Sequence, residues 1–111
     1  MKEKLHHIQF LSKDEQKEII GIFIKTCTAF FENFNLGIKN NDIETVKKAC
    51  HNFGSSLIVF ELEDEMHLLE KVQEKVRSKD LIASKAGIVH LEKNILKFIQ
   101  LLQIELEKLS K

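Results

Sequence analysis

The sequence predicts an all-α fold: an up-down-up-down antiparallel four-helix bundle with a short extra helix at its N-terminus. Three observations carry that expectation. The 111 residues include no proline and only four glycines, so little interrupts a helix. Apolar residues recur at the three- and four-residue spacing of one helical face over four long stretches. The connections between those stretches are a few residues long, which makes successive helices antiparallel neighbours. A chain of this length removes roughly two-thirds of its unfolded surface from water, enough for a core without staples. No repeat, linker or low-complexity tract divides it, so residues 1–111 are expected to form a single domain.

The elements follow in order. Leu5, Ile8 and Leu11 share one face of a short N-terminal helix that stops near Ser12. Ser12 followed by Glu15 is a capping-box signature and opens the first long helix. Ile20, Phe23, Cys27, Phe30 and Phe34 form its stripe, widened by Ile19, Ile24 and Phe31, and it fades between Gly37 and Asn41. Asp42, a good N-cap, begins the next helix, which runs to about Phe60. Ile43, Val46, Cys50, Phe53, Leu57 and Phe60 are its inward set. The acidic stretch Glu61 to Asp64 suits a helix start, where negative charge opposes the dipole. Leu62, Met66, Leu69, Val72 and Val76 then mark a helix ending near Arg77. After Ser78-Lys79-Asp80, the last helix carries Ile88, Leu91, Ile95, Ile99, Leu102, Leu106 and Leu109 on one face. The same stripes would serve a coiled-coil oligomer, but the short punctuated loops favour a monomeric bundle.

Charge and cysteine usage bound the function. Seventeen basic and 17 acidic residues give zero net charge, which weakens any nucleic-acid reading. Cys27 and Cys50 lie in apolar stripes and read as small buried hydrophobes, not as a disulfide or zinc framework. No apolar run is long enough for a signal peptide or a membrane span, so the chain is expected to be cytoplasmic, without membrane contact.

A bundle says nothing about function by itself, so the informative residue is a polar one that the fold does not require. At 100° per residue, His51 points roughly 130° away from the apolar set of its helix, onto the solvent side. Glu44, Lys48, Ser55 and Ile58 share that side, and Lys47 and Gly54 lie at its border, beside His51 on neighbouring turns. A glycine inside a helix costs about 1 kcal/mol relative to alanine. Gly54, Ser55 and Ser56 together clear bulk from the turn after His51 and leave its imidazole approachable by something large. Ile58 adds an exposed apolar contact, and the lysines add positive charge one turn back. Taken singly, each has a plain reading: a solvated histidine, a packing glycine, a solvated lysine pair. Together they suit docking of a protein that carries an anionic group.

The run Lys47-Lys48-Ala49-Cys50-His51-Asn52-Phe53-Gly54-Ser55-Ser56-Leu57, followed by Phe60, Leu62 and Leu69-Glu70, resembles the histidine-phosphotransfer (HPt) domains of multistep phosphorelays. That family's pattern is approximately Ala-His-x-Leu-Lys-Gly-Ser-Ser/Ala, with an apolar-Gly pair about ten residues after the histidine and a Leu-Glu pair later. The resemblance covers most of the chain, and the Asn41-Asp42 turn and the bundle length agree with it. The histidine and its small-residue turn match. Gly54 stands where the family has lysine, Ser55 where it has glycine, Cys50 before the histidine, and Glu61 where glycine is common.

The resemblance implies that His51 is the phosphorylated nucleophile, accepting the group from a receiver-domain aspartate and passing it to another receiver. Imidazole suits this, being neutral and nucleophilic near neutral pH. Lys47 and Lys48 would offset phosphate charge, Ser55 or Ser56 would hydrogen-bond nearby, and Gly54 and Ile58 would form the docking surface. The implied partners are response-regulator receiver domains and a hybrid sensor histidine kinase. Mg²⁺ would sit on the receiver, so this chain needs no cofactor and has no turnover of its own. The alternatives are a helical interaction module without phosphoryl chemistry, or a degenerate HPt domain that docks receivers without transfer.

Other chemistry is weakly signalled. His6-His7 reads as plain polar sequence near the terminus. His67 and His90 have carboxylates nearby in sequence (Glu63, Glu70, Glu92), but the paired Glu-x-x-His motifs of a bundle metal site are missing, so no metal is expected. No phosphate-binding glycine loop or catalytic triad order is present.

Overall fold

A computed structural model describes Leu5 and residues 8–111. Those residues form an all-helical bundle whose four long helices are α1 (Lys13–Lys39), α2 (Ile43–Ile58), α3 (Glu63–Arg77) and α4 (Leu81–Leu109). Each packs on its sequence neighbour, and α1 closes the ring against α4, while the backbones of the diagonal pairs stay farther apart among the described residues. Of the expected N-terminal helix, Leu5 is helical and Ile8 to Phe10 form a turn. Leu11 lies in a bend, and His6-His7 lie outside the described residues.

The capping box forms as its sequence implies. The Glu15 backbone N–H donates to Ser12 Oγ at 3.1 Å, and the Ser12 N–H donates to Glu15 Oε1 at 3.2 Å. The three loops share one geometry. At the end of α1, the Asp42 N–H donates to the Gly37 carbonyl and the Asn41 N–H to that of Ile38. Leu62 and Glu61 repeat this onto Leu57 and Ile58, and Asp80 and Lys79 onto Lys75 and Val76. This is the Schellman closure, and its pivot adopts the left-handed conformation. The pivots here are Asn41 (φ 55°), Glu61 (φ 50°) and Lys79 (φ 61°), none of them glycine. The residue after each pivot is already the N-cap of the next helix: Asp42, Leu62 and Asp80. One residue therefore ends one helix and the next begins another, so the chain reverses with minimal loop. The α2 helix stops at Ile58, two residues short of the Phe60 expected from its stripe, because the pivot at Glu61 ends it while Phe60 remains buried.

With 27 and 29 residues, α1 and α4 are about 40 and 44 Å long at 1.5 Å per residue, close to the 46 Å length of the molecule. The α2–α3 hairpin, of 16 and 15 residues, covers roughly half of that. Phe60 closes its tip, edge-on to Phe23 at 5.0 Å and Phe98 at 5.4 Å between ring centroids. Leu5 and Ile8, both buried, belong to the same apolar core. Nearer the other end, Phe53 of α2 stacks on Phe30 of α1, with centroids 4.1 Å apart and planes 9° from parallel. Gly37 lets the end of α1 approach the start of α2, since a Cβ there would sit 2.6 Å from Val46 Cγ2.

Candidate functional site around His51

Four side chains fix the rotation of α2. Val46, Cys50, Phe53 and Leu57 recur at alternating spacings of four, three and four residues, and all are buried. Since Cys50 and Phe53 both point inward, the residue after Cys50 is turned to the surface. His51 is indeed exposed, on the flank of α2 that faces α3.

His51 forms part of the wall of two adjoining recesses between these helices. The first, of about 190 Å³, is bounded by Lys47, Cys50 and His51 from α2 and by Gln73, Val76 and Arg77 from α3. The second, of about 380 Å³, runs the other way along α2. There His51, Gly54, Ser55 and Ile58 face Glu70 and Gln73, with Met66 and Leu69 also lining it. His51 and Gln73 border both. The recess toward the start of α2 holds the cationic side chains, Lys47 and Arg77, and the other holds the carboxylate of Glu70.

The residues singled out from sequence separate into two groups. His51, Lys47, Gly54, Ser55 and Ile58 border these recesses together. Lys48 is exposed and lines neither. Ser56 lies on the opposite flank of α2, in an apolar recess of about 220 Å³ with Ile19, Ile22, Phe23 and Val59. The Ser55 hydroxyl donates to the Asn52 carbonyl at 2.9 Å, within its own helix. Lys47 Nζ is 3.5 Å from Glu44 Oε1, an exposed pair whose attraction is largely screened. Gly54 is not forced by packing: a Cβ there would meet only Leu69 Cδ2, at an ordinary 3.8 Å. Gln73 and Arg77 were not among the sequence candidates. They stand one turn apart on α3, and only the pairing of α3 with α2 brings them to the histidine.

The neighbouring thiol does not compete as a nucleophile. Burial pushes Cys50 up to about 12, and Cys27 likewise, so both stay protonated at neutral pH. At the head of α2, Asp42 is held below the ordinary carboxylate range by the Thr45 hydroxyl (2.6 Å) and then by the Thr45 N–H (3.2 Å). Both bonds are stronger to the ionised carboxylate than to the neutral acid, so the cap that starts the histidine helix favours the charged form. His67 Nδ1 lies 3.7 Å from Glu70 Oε2 on the surface of α3. Among the described residues, no three His, Cys, Asp or Glu side chains converge on a metal-sized site, and no helix is long and apolar enough to cross a membrane.

The site thus combines an exposed imidazole, the Gln73 side chain bordering the same two recesses from the facing helix, and two cationic residues around one of them. Compared with known proteins, the chain matches no family model, no curated protein and no solved structure.

Proposed function

We propose that the chain is a histidine phosphotransfer protein of a phosphorelay, with His51 as the residue that carries the phosphoryl group. The observation that carries this reading is the exposure of His51 between α2 and α3, with Lys47, Gln73 and Arg77 around one recess. The likeness of its helix to HPt domains supports it independently. A ring nitrogen of His51 uses its lone pair to attack the aspartyl phosphate of a receiver domain. The acyl P–O bond breaks, its electrons stay on the receiver carboxylate, and an N–P bond forms while the ring releases a proton to solvent. The reverse reaction, onto a second receiver, completes the relay. Catalysis of such a transfer is mostly positioning and charge stabilisation. The receiver supplies Mg²⁺, and this chain supplies the acceptor and a surface that admits the partner. Gly54 and Ser55 keep that surface low beside His51, and Ile58, 58 % exposed, offers an apolar contact. The protein acts in the cytosol as a monomer, between a hybrid sensor kinase and a response regulator.

One observation favours a second reading. Gly54 replaces the family's lysine, as a domain that docks receivers without accepting phosphate would permit. Incubation with Mg²⁺-loaded, radiolabelled phospho-receivers separates the two. Acid-labile, alkali-stable label on wild type but not on His51→Gln supports transfer. No label from any of several receivers, or label that persists in His51→Gln, refutes it.

A further inference from the structure

The two turns of α2 that follow His51 contain no cation: Asn52, Phe53, Gly54, Ser55, Ser56, Leu57 and Ile58 are all uncharged. A phosphoryl group on an exposed imidazole carries nearly two negative charges and gains most from a cation held within a few ångströms. The recess beside His51 offers two, from different directions. Lys47 sits one turn earlier on α2, shared with Glu44. Arg77 comes across the groove from the last turn of α3 and has no carboxylate partner among the described residues. Guanidinium presents a planar fork of donors that matches phosphate oxygens two at a time, which a lysine cannot do. Gln73, one turn before Arg77 on the same face, borders the recess as well and adds an amide donor.

We propose that Arg77, assisted by Lys47, supplies the counter-charge for the phosphoryl group on His51, from the facing helix instead of from the histidine's own. This rests on the phosphotransfer reading and assigns a contact that the sequence pattern leaves unfilled. It also makes the α2–α3 pairing part of the chemistry, because a change that separates those helices removes charge from the site without touching His51.

The test loads the intact protein with potassium phosphoramidate, a small phosphodonor that needs no cognate receiver. Phosphohistidine formation and the titration of its phosphoryl group are followed by phosphorus NMR. Wild type, Arg77→Gln, Gly54→Lys and the double variant Arg77→Gln/Gly54→Lys are compared. Position 54 borders the same histidine and has room for a side chain, so a lysine there should restore the missing charge. Arg77→Gln is expected to load about ten-fold more slowly, the scale of losing one charge-assisted hydrogen bond. Its phosphoryl group should hold its last proton to higher pH than in wild type, and the double variant should recover both properties. A merely structural role for Arg77 would shift the unfolding midpoint but not the phosphoryl titration. Wild-type loading at His51 with an unchanged rate and titration in Arg77→Gln overturns this proposal alone. No loading of wild-type His51 overturns it together with the phosphotransfer reading.

Discussion

Two helix-interior glycines, alike in sequence, should respond oppositely to the same substitution. Glycine to alanine in a helix gains about 1 kcal/mol from backbone entropy wherever the methyl group fits. At Gly54 it fits. Its nearest outside neighbour would be Leu69 Cδ2 at 3.8 Å, so Gly54→Ala should stabilise the fold by about 0.5–1 kcal/mol. At Gly37 it does not. The new Cβ would lie 2.6 Å from Val46 Cγ2 and 3.4 Å from the Asp42 carbonyl oxygen. Val46 is fully buried and, as a β-branched residue in a helix, has essentially one rotamer, so the end of α1 must move away from α2. Overpacking of this kind costs about 1–3 kcal/mol, leaving Gly37→Ala less stable by roughly 1–2 kcal/mol after the entropic gain. The two variants should then differ by about 2–3 kcal/mol. Urea titration reads this as midpoints displaced in opposite directions with an unchanged slope. In a heating experiment each kilocalorie is worth about 4 °C for a domain of this size. A Gly54→Ala midpoint below wild type would show that glycine is needed there for packing. A neutral Gly37→Ala would show that the α1–α2 contact is looser than described.

Three further outcomes are expected from the structure. Lys79, at φ 61°, holds a conformation that disfavours side chains by about 1 kcal/mol, so Lys79→Gly should raise the urea midpoint, whereas loss of stability would argue against the shared loop geometry. Cys27 and Cys50 should resist a thiol reagent at pH 8 until denaturant is added. Because their folded values rise from 9.0 to about 12, their contribution is complete below pH 9 and fades as pH climbs through that window. Rapid labelling of the native protein would contradict their burial. Asp42 has the opposite sign: its folded value is depressed below 3.8, so its contribution is present at neutral pH and is lost as pH falls through that depressed value. The stability gap between wild type and Asp42→Ala should therefore close in acid, and a gap that persisted there would show that the carboxylate's charge is not what caps α2.

Much of the bundle was legible because burial imposes a period on the sequence. The inward residues Val46, Cys50, Phe53 and Leu57 were read directly, and fixing that face also fixed His51 as outward. Helix ends were harder. Sequence reading looks for glycine after a helix, but the left-handed pivots here are Asn41, Glu61 and Lys79, while the glycines lie inside helices. Phe60 misled because an apolar residue buried beyond a helix end continues the stripe. Arg77 and Gln73 were missed for a different reason. Periodicity assigns a residue to a face of its own helix but not to a partner across a groove. The available signal was their spacing of four, one turn apart beside the Val72–Val76 stripe. Conversely, Lys48 and Ser56 seemed close to His51 in sequence, yet one lies outside both recesses and the other turns toward α1.

Whether the imidazole of His51 carries a phosphoryl group and gives it up again can be read from one chase experiment. The protein is loaded with phosphoramidate, freed of excess donor, and the modified residue is located by mass spectrometry under alkaline conditions. A set of unphosphorylated receiver domains with Mg²⁺ is then added. The proposed function predicts modification at His51 and its loss within minutes to at least one receiver, with acyl phosphate appearing on that receiver's aspartate. Modification confined to His67 or His90, or a phospho-His51 that no receiver discharges, would contradict it.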